Sequence, residues 1–264
     1  MNSMKESTLL NKQDYEEESV FKAKNLLREA RRQKGVPECD IPEICVLDPD
    51  GDMVSYLKKS DRASVNRCWA GYHTTMYEFE LNGQSVGIIG QAVGASFAVL
   101  LAEQMFASGC EFLISITSAG TISPPPGGEQ FILIDQALRD EGTSYHYLPP
   151  EEPTRLNREI LDNLRKLQTD PKLSVGIGTS WTTDAPYRET RSAIQKAEDK
   201  GITAVEMEAA ALYAFAQAKQ QPVVCFAHLT NTMARETGDF EKGMENGSIA
   251  SLNLIDKVIS TIET

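Results

Sequence analysis

The segment Val205-Glu206-Met207-Glu208-Ala209-Ala210-Ala211 sets two carboxylates on either side of a thioether, at the entrance to an apolar run through Leu212, Tyr213, Phe215 and Ala216. An ionised carboxylate is costly to bury without a partner. A pair of sugar hydroxyls is a suitable one, because a carboxylate accepts two O–H donors at once. A thioether can lie against the apolar face of the same sugar. The same residue types also suit a capped helix with a solvated Glu in its first turn, where the helix dipole favours negative charge. At the level of this segment both readings stand.

The elements that must position these side chains follow from periodicity. Strands are expected at Ile44–Leu47, Tyr77–Leu81, Ser85–Ile89, Phe112–Ile116, Phe131–Asp135, Ser174–Thr179, Ala204–Glu206 and Val223–Leu229. Helices are expected over about 95–108, 154–168, 188–199, 208–219 and 243–262. Such alternation argues for a largely parallel sheet covered by helices. In sheets of that kind ligands bind at the carboxyl ends of the strands. The polar clusters Thr117-Ser118, Thr179 to Arg188 and Thr230-Asn231 all follow expected strands. Gly90-Gln91-Ala92-Val93-Gly94-Ala95-Ser96 also follows a strand and opens a helix.

Residues 1–18 read as a disordered tail, and 19–38 as an N-terminal extension. Within it 19–34 form an amphipathic helix, with Val20, Ala23, Leu26, Leu27 and Ala30 near one face and Gly35 and Pro37 ending it. We take the extension as a packing or subunit-contact element. Residues 40–264 form one α/β domain, a size that buries an ample core.

Hydrophobic content of 41% and charged content of 24% are ordinary for a globular chain. The net charge of −12 argues against a nucleic-acid polymer as partner, since phosphate backbones require a basic face. No apolar run approaches the roughly 20 residues that span a bilayer. Five cysteines (Cys39, Cys45, Cys68, Cys110, Cys225) are scattered with no CxxC pair, and with three histidines they argue against a structural zinc site. Cys110 and Cys225 read as small core residues. The count suits a reducing cytoplasm.

The Val-Glu-Met-Glu-Ala-Ala block, the Gly-rich turn, the Ser115-Ile116-Thr117-Ser118-Ala119-Gly120 strand end and Val223 to Asn231 together resemble the nucleoside phosphorylase and nucleosidase superfamily, of the purine nucleoside phosphorylase and uridine phosphorylase type. The resemblance spans about residues 40–260. It implies a single-domain three-layer sandwich with a central, mostly parallel but mixed, twisted β-sheet between helices. It also implies a homo-oligomer (dimer, trimer or hexamer) acting on a small-molecule nucleoside, with no metal or organic cofactor and phosphate as a possible co-substrate.

Cleavage of an N-glycosidic bond passes through an oxocarbenium-like sugar. The protein must hold the ribose, stabilise charge on the departing base and position a nucleophile. By the resemblance, Glu208 takes the ribose hydroxyls, Met207 packs against the sugar and Glu206 supports them. Asn231 stands where adenosine-accepting relatives carry a proton-donating Asp. An amide cannot deliver that proton, so a pyrimidine or 6-oxopurine nucleoside is expected. Uridine phosphorylases follow this Asn with an arginine, which is Thr232 here.

The resemblance places the base pocket in Thr179 to Thr190, including Thr183. Arg188 donates there to a base carbonyl or pairs with Asp184, and Trp181 or Tyr187 stacks on the base. The nucleophile site draws on Gly94, Thr117 and Ser118. Phosphate-using relatives add arginines, but the matching positions hold Ser115 and the acidic turn Asp48-Pro49-Asp50-Gly51-Asp52-Met53. A third position falls at Tyr72, with Arg67 and His73 nearby. His146 is a wall of the site or an interface residue, and His228 belongs to the core. Phosphorolysis is the first expectation. Hydrolysis, supported by the missing arginines and a Ser115–Gly120 turn like that of water-using relatives, is the second, and non-catalytic nucleoside binding the third.

Overall fold

A computed structural model describes residues 9–11, 14–150, 153–170, 172–232 and 240–262. β1 (Ile44–Asp48) is buried at every position, as an Ile-Cys-Val-Leu run requires of a strand covered on both faces. It pairs in parallel with β4 (Gln84–Gly90) on one side and β5 (Phe112–Thr121) on the other. β3 (Tyr77–Leu81) returns antiparallel to β4 through Asn82-Gly83, where both residues take positive φ as a two-residue hairpin demands. The short β2 (Ala63–Val65) completes this wing.

The other half closes on itself. β6 (Phe131–Asp140), β8 (Val175–Thr183), β9 (Ala204–Glu206) and β10 (Val223–Asn231) join β5 in the order β10-β6-β8-β9-β5. β10 then pairs back to β5 in parallel, so five strands form a ring. A two-residue strand, β7 (Thr154–Arg155), adds to the edge of β6. The fold is thus the expected mixed, mostly parallel α/β sheet with flanking helices, with closure as an added feature.

Helices cover the sheet: α1 (Ala23–Lys34), α2 (Asp52–Lys59), α3 (Ala95–Phe106), α4 (Arg158–Leu164), α5 (Arg191–Asp199), α6 (Ala209–Lys219) and α7 (Ser248–Ile262). α6 is buried on all sides from Ala209 to Phe215, matching its all-apolar sequence. Its Tyr213 hydroxyl donates to Ile134 O at 2.6 Å and accepts from Cys225 N at 3.1 Å, so the one polar atom in that run is satisfied.

Periodicity missed α2, β2 and β7, all too short to show it, and α2 begins inside the acidic turn. β5, β8 and β10 run beyond their expected ends into polar residues, because those ends pair with one another where the ring closes. The helix expected from 19 begins at Ala23. Of the expected tail, residues 1–8 and 12–13 lie outside the described residues. No helix among the described residues is long and apolar enough to cross a membrane.

Cys45, Cys110 and Cys225 are free and buried, whereas Cys39 and Cys68 form a disulfide with Cα atoms 5.3 Å apart. Their separation of 29 residues carried no signal in the sequence.

Candidate active site

The β9–α6 corner separates the two carboxylates of the Glu-Met-Glu segment into different roles. Thr182 lies beside Glu206 in the β8–β9 register, and Ser180, two residues earlier, shares its face. Both hydroxyls donate to Glu206 Oε1, Ser180 from 3.0 Å. Glu206 Oε2 accepts the backbone N–H groups of Glu208 and Ala209, each at 2.7 Å. These amides are among the orphan donors of a helix N-terminus. Glu206 therefore caps α6 and is spent within the protein, which corrects its assignment to the ribose. Burial raises its carboxyl, and these four donors oppose that shift. Glu206→Ala leaves buried donors unpaired, so we expect a loss of roughly 3 kcal/mol, measured by denaturant unfolding.

Glu208 differs. Its Oε1 accepts the Gly94 N–H at 2.6 Å, while its Oε2 is buried with no hydrogen-bond partner among the described residues. Burial first, then the neighbouring Glu206 carboxylate, pushes the Glu208 carboxyl up to about 8; the Gly94 amide and the Thr117 hydroxyl pull the other way. Met207 lies half-buried between the two glutamates. The corner thus presents one carboxyl oxygen without a hydrogen-bond partner among the described residues, beside a thioether.

The raised value sets a sign for stability. The folded state holds the Glu208 proton more tightly than the unfolded chain, so its contribution is full below about 4.5 and is lost as pH rises through about 8. Unfolding free energy measured from pH 5 to 9 (a range chosen around that shift) should fall more steeply in the parent than in Glu208→Gln. The difference in slope should approach about 1.4 kcal/mol per pH unit. Asp48, raised to about 7 chiefly by burial, contributes the same sign to both proteins.

At the Ser118 strand end, where an anion or water was expected, the chain's own carboxylates occupy the donors. Asp50 Oδ2 accepts Ser118 N–H at 3.0 Å and Asp50 Oδ1 accepts the Ser118 hydroxyl at 2.9 Å. Lys242 bridges Asp50 at 3.3 Å and Asp52 at 2.7 Å, and Asn246 donates to Asp52 at 3.1 Å. Asp48 shapes the turn beneath them, accepting the amides of Gly51 at 3.1 Å and Val54 at 2.9 Å. Of the residues expected to bind an anion, Gly94 serves Glu208 and Ser118 serves Asp50, while the Thr117 hydroxyl donates to Ser118 O at 3.3 Å.

Arg67 and His73 are not brought to this point. Arg67 is exposed on the loop before β3. His73 lines a different cavity, bounded by Gly51, whereas Asp50, Asp52, Thr117 and Ser118 line a smaller one together. Asp50 was legible only as an acid where an arginine was sought. Lys242 carried no signal, since its contact with Asp52 spans 190 residues.

At the end of β10, Asn231 pairs in register with Gly120, adjacent to the Val205 pairing, and is half-buried near the Glu-Met-Glu corner. Its side-chain amide donates to the Thr230 hydroxyl at 3.3 Å. Arg188 and Tyr187 lie exposed in a short 3-10 turn, Pro186–Arg188. Asp184 accepts the Gly142 N–H at 2.8 Å, and no ion pair to Arg188 occurs among the described residues.

Two base-pocket assignments are corrected. Trp181 projects opposite to Ser180 and Thr182, into a small core with Ile122, Ala197, Ile202 and Val205, and its indole donates to Asp140 at 3.0 Å. Thr183 is buried, and its hydroxyl accepts Ala185 N–H at 3.2 Å, closing the strand end. Trp181→Phe should lower stability by about 1 kcal/mol for the lost hydrogen bond and leave kcat/KM within twofold, checked by thermal melting and steady-state rates. A large fall in kcat/KM at unchanged stability would return Trp181 to the site. His228 is buried as expected, stacked on Phe131 at 4.6 Å with Gln130 at 3.0 Å, but it also lines the small cavity with Asp50 and Ser118; burial lowers it to about 4.

Residues 43–262 match the family model of the phosphorylase superfamily, and the chain belongs to that superfamily. It is similar to guanosine phosphorylase of Halorubrum lacusprofundi, 23% identical over 70% of this chain and 76% of that protein. It is also similar to a DeoD-type purine nucleoside phosphorylase of Bacillus cereus, 29% identical over 51% of this chain and 58% of that one. The chain thus spans little more than half the length of some relatives. Among solved structures, uridine phosphorylase from Vibrio fischeri ES114 shares the fold with a TM-score of 0.69 at 17% identity, over 86% of this chain and 95% of that one. Purine nucleoside phosphorylase from Toxoplasma gondii, in complex with immucillin-H, does so with a TM-score of 0.68 at 13% identity, over 83% and 89%.

Proposed function

We propose that this chain cleaves the N-glycosidic bond of a nucleoside, with Glu208 holding the sugar hydroxyls and water as the acceptor. The observation that carries the reading is the buried, unpartnered Oε2 of Glu208, which a sugar O–H pair satisfies together with Oε1. Met207 packs against the sugar and Asn231 hydrogen-bonds the base. Because that amide donates no proton, the departing base must carry its own electron pair, which suits a pyrimidine or 6-oxopurine.

The acceptor follows from electrostatics. A phosphate dianion at Ser118 would meet Asp50, Asp52 and Glu208 with Lys242 as the one described cation bound into that cluster. A water beside Asp50 faces no such repulsion. In this scheme the C–N bond breaks, water oxygen bonds to the anomeric carbon, and Asp50 takes the water proton.

Phosphorolysis is the second reading, favoured by relatives named guanosine phosphorylase and purine nucleoside phosphorylase; it requires Asp50 to leave Ser118. The test is base release from uridine, thymidine, inosine, guanosine and adenosine, each with and without phosphate. Phosphate-independent release of free sugar supports hydrolysis. A sugar 1-phosphate formed only with phosphate supports the second reading, and adenosine as preferred substrate overturns the role of Asn231. No cleavage in any mixture removes the enzymatic readings.

A further inference from the structure

Cys39 follows α1, outside the region that matches the phosphorylase superfamily, and Cys68 lies inside that region. Their disulfide therefore ties the N-terminal extension to the shared domain, at the loop 66–75. Both residues are half-buried and within reach of a small solute, whereas Cys45, Cys110 and Cys225 are enclosed in the core.

Two sets of contacts meet at this junction. Within the loop, Asn66 Oδ1 accepts the amides of Cys68 at 2.9 Å and Trp69 at 3.0 Å, and the Trp69 indole donates to the Thr74 hydroxyl at 3.1 Å. These bonds hold the shape of the loop whatever the state of the sulfurs. Between the loop and α1, Lys34 donates to Gly71 O at 2.6 Å and Ala70 O at 3.3 Å, and the Tyr72 hydroxyl donates to Gln33 Oε1 at 2.8 Å. Ala70 also packs with Leu27 and Ala30 of α1. The polar contacts are open to water, where such bonds contribute little net. The covalent bond is thus the strongest restraint across the junction.

Charge favours one direction of exchange at these sulfurs. Cys39 sits between the exposed acids Glu38 and Asp40, and Cys68 follows the exposed Arg67. A neighbouring cation lowers the pKa of a thiol, and the sulfur of lower pKa is the faster leaving group. Attack on Cys39 with departure of Cys68 is the favoured course.

We propose that Cys39–Cys68 is a reversible redox site, opened by a dithiol and closed by the corresponding disulfide, that sets whether the loop 66–75 is clamped to the extension. A thiolate of the dithiol attacks Cys39 Sγ, the bond between the two cysteine sulfurs breaks, and Cys68 leaves as a thiolate that takes up a proton. The second thiol of the reagent, as its thiolate, attacks the mixed disulfide and releases Cys39, which is protonated in turn. The protein disulfide gains two electrons and two protons, and the dithiol gives them up as it becomes a disulfide. In the open state the loop keeps its internal bonds but loses its covalent hold on the extension. The same loop walls the cavity bordered by Gly51, in the turn that carries Asp50, so the clamp acts beside the candidate site.

The test equilibrates the folded full chain with reduced and oxidised dithiothreitol at graded ratios and traps free thiols with iodoacetamide for peptide mapping. Hydrogen exchange of the amides in 66–75 is followed on the same samples. Reducing buffers should expose Cys39 and Cys68 together to alkylation while the three core thiols stay unmodified, and oxidising buffers should restore the bond. Protection of the loop amides should fall by about tenfold in the open state and return on closure. Cys39→Ser/Cys68→Ser should show the open-state exchange in every buffer; if that variant does not fold, the two states of the parent decide alone. Sulfurs that are free in every buffer, a bond that opens only when the chain unfolds, or equal loop protection in both states overturns the proposal.

Discussion

Glu208→Gln should lower kcat/KM for nucleoside cleavage by about a thousandfold while the fold survives. The amide keeps an acceptor for the Gly94 N–H, which Glu208 Oε1 now takes at 2.6 Å. At the Oε2 position it presents an N–H donor where the sugar presents O–H donors, so two buried donors face each other. The parent should show kcat/KM rising with pH as the free-enzyme carboxyl, raised to about 8, ionises, and the variant should lack that limb. Removing a buried, raised carboxyl should not reduce stability at neutral pH, so unfolding curves separate a lost site from a lost fold. A variant within threefold of the parent would sink the assignment of Glu208 to the sugar.

Asp50→Asn should have the second largest effect, and its direction depends on the acceptor. Under hydrolysis the variant loses the group that takes the water proton, a contribution of roughly 100- to 10,000-fold. Its amide can no longer accept from both the amide and hydroxyl of Ser118 as the carboxylate does. Under phosphorolysis the same change removes a negative charge from beside the incoming dianion, and phosphate-dependent turnover should rise. Product analysis for free sugar and sugar 1-phosphate, at fixed nucleoside and varied phosphate, reads both arms in one experiment. Unchanged activity in both arms would leave Asp50 as a turn residue only.

Local chemistry alone determined a good deal of this protein. Apolar runs such as Ile44 to Leu47 can be stable only as buried strands, and their alternation with helical segments specifies an α/β sheet. The Glu-Met-Glu spacing marked this corner as one to be explained, because two carboxylates before an apolar helix need partners. Which carboxylate finds its partners inside the protein was a tertiary decision. Glu206 meets Ser180 and Thr182 because β8 and β9 align in parallel there, and that leaves Glu208 as the unsatisfied one.

Trp181 shows the same limit. A strand has two faces, and the sequence names their alternation but not which one meets α5. The acidic turn at Asp48 to Asp52 was visible as a missing arginine. Its consequence, Asp50 seated on Ser118 and held by Lys242, depends on contacts between segments far apart in the chain. Such contacts leave no local pattern, because burial and periodicity act over a few residues, whereas the meeting of distant polar ends is set by how the sheet closes.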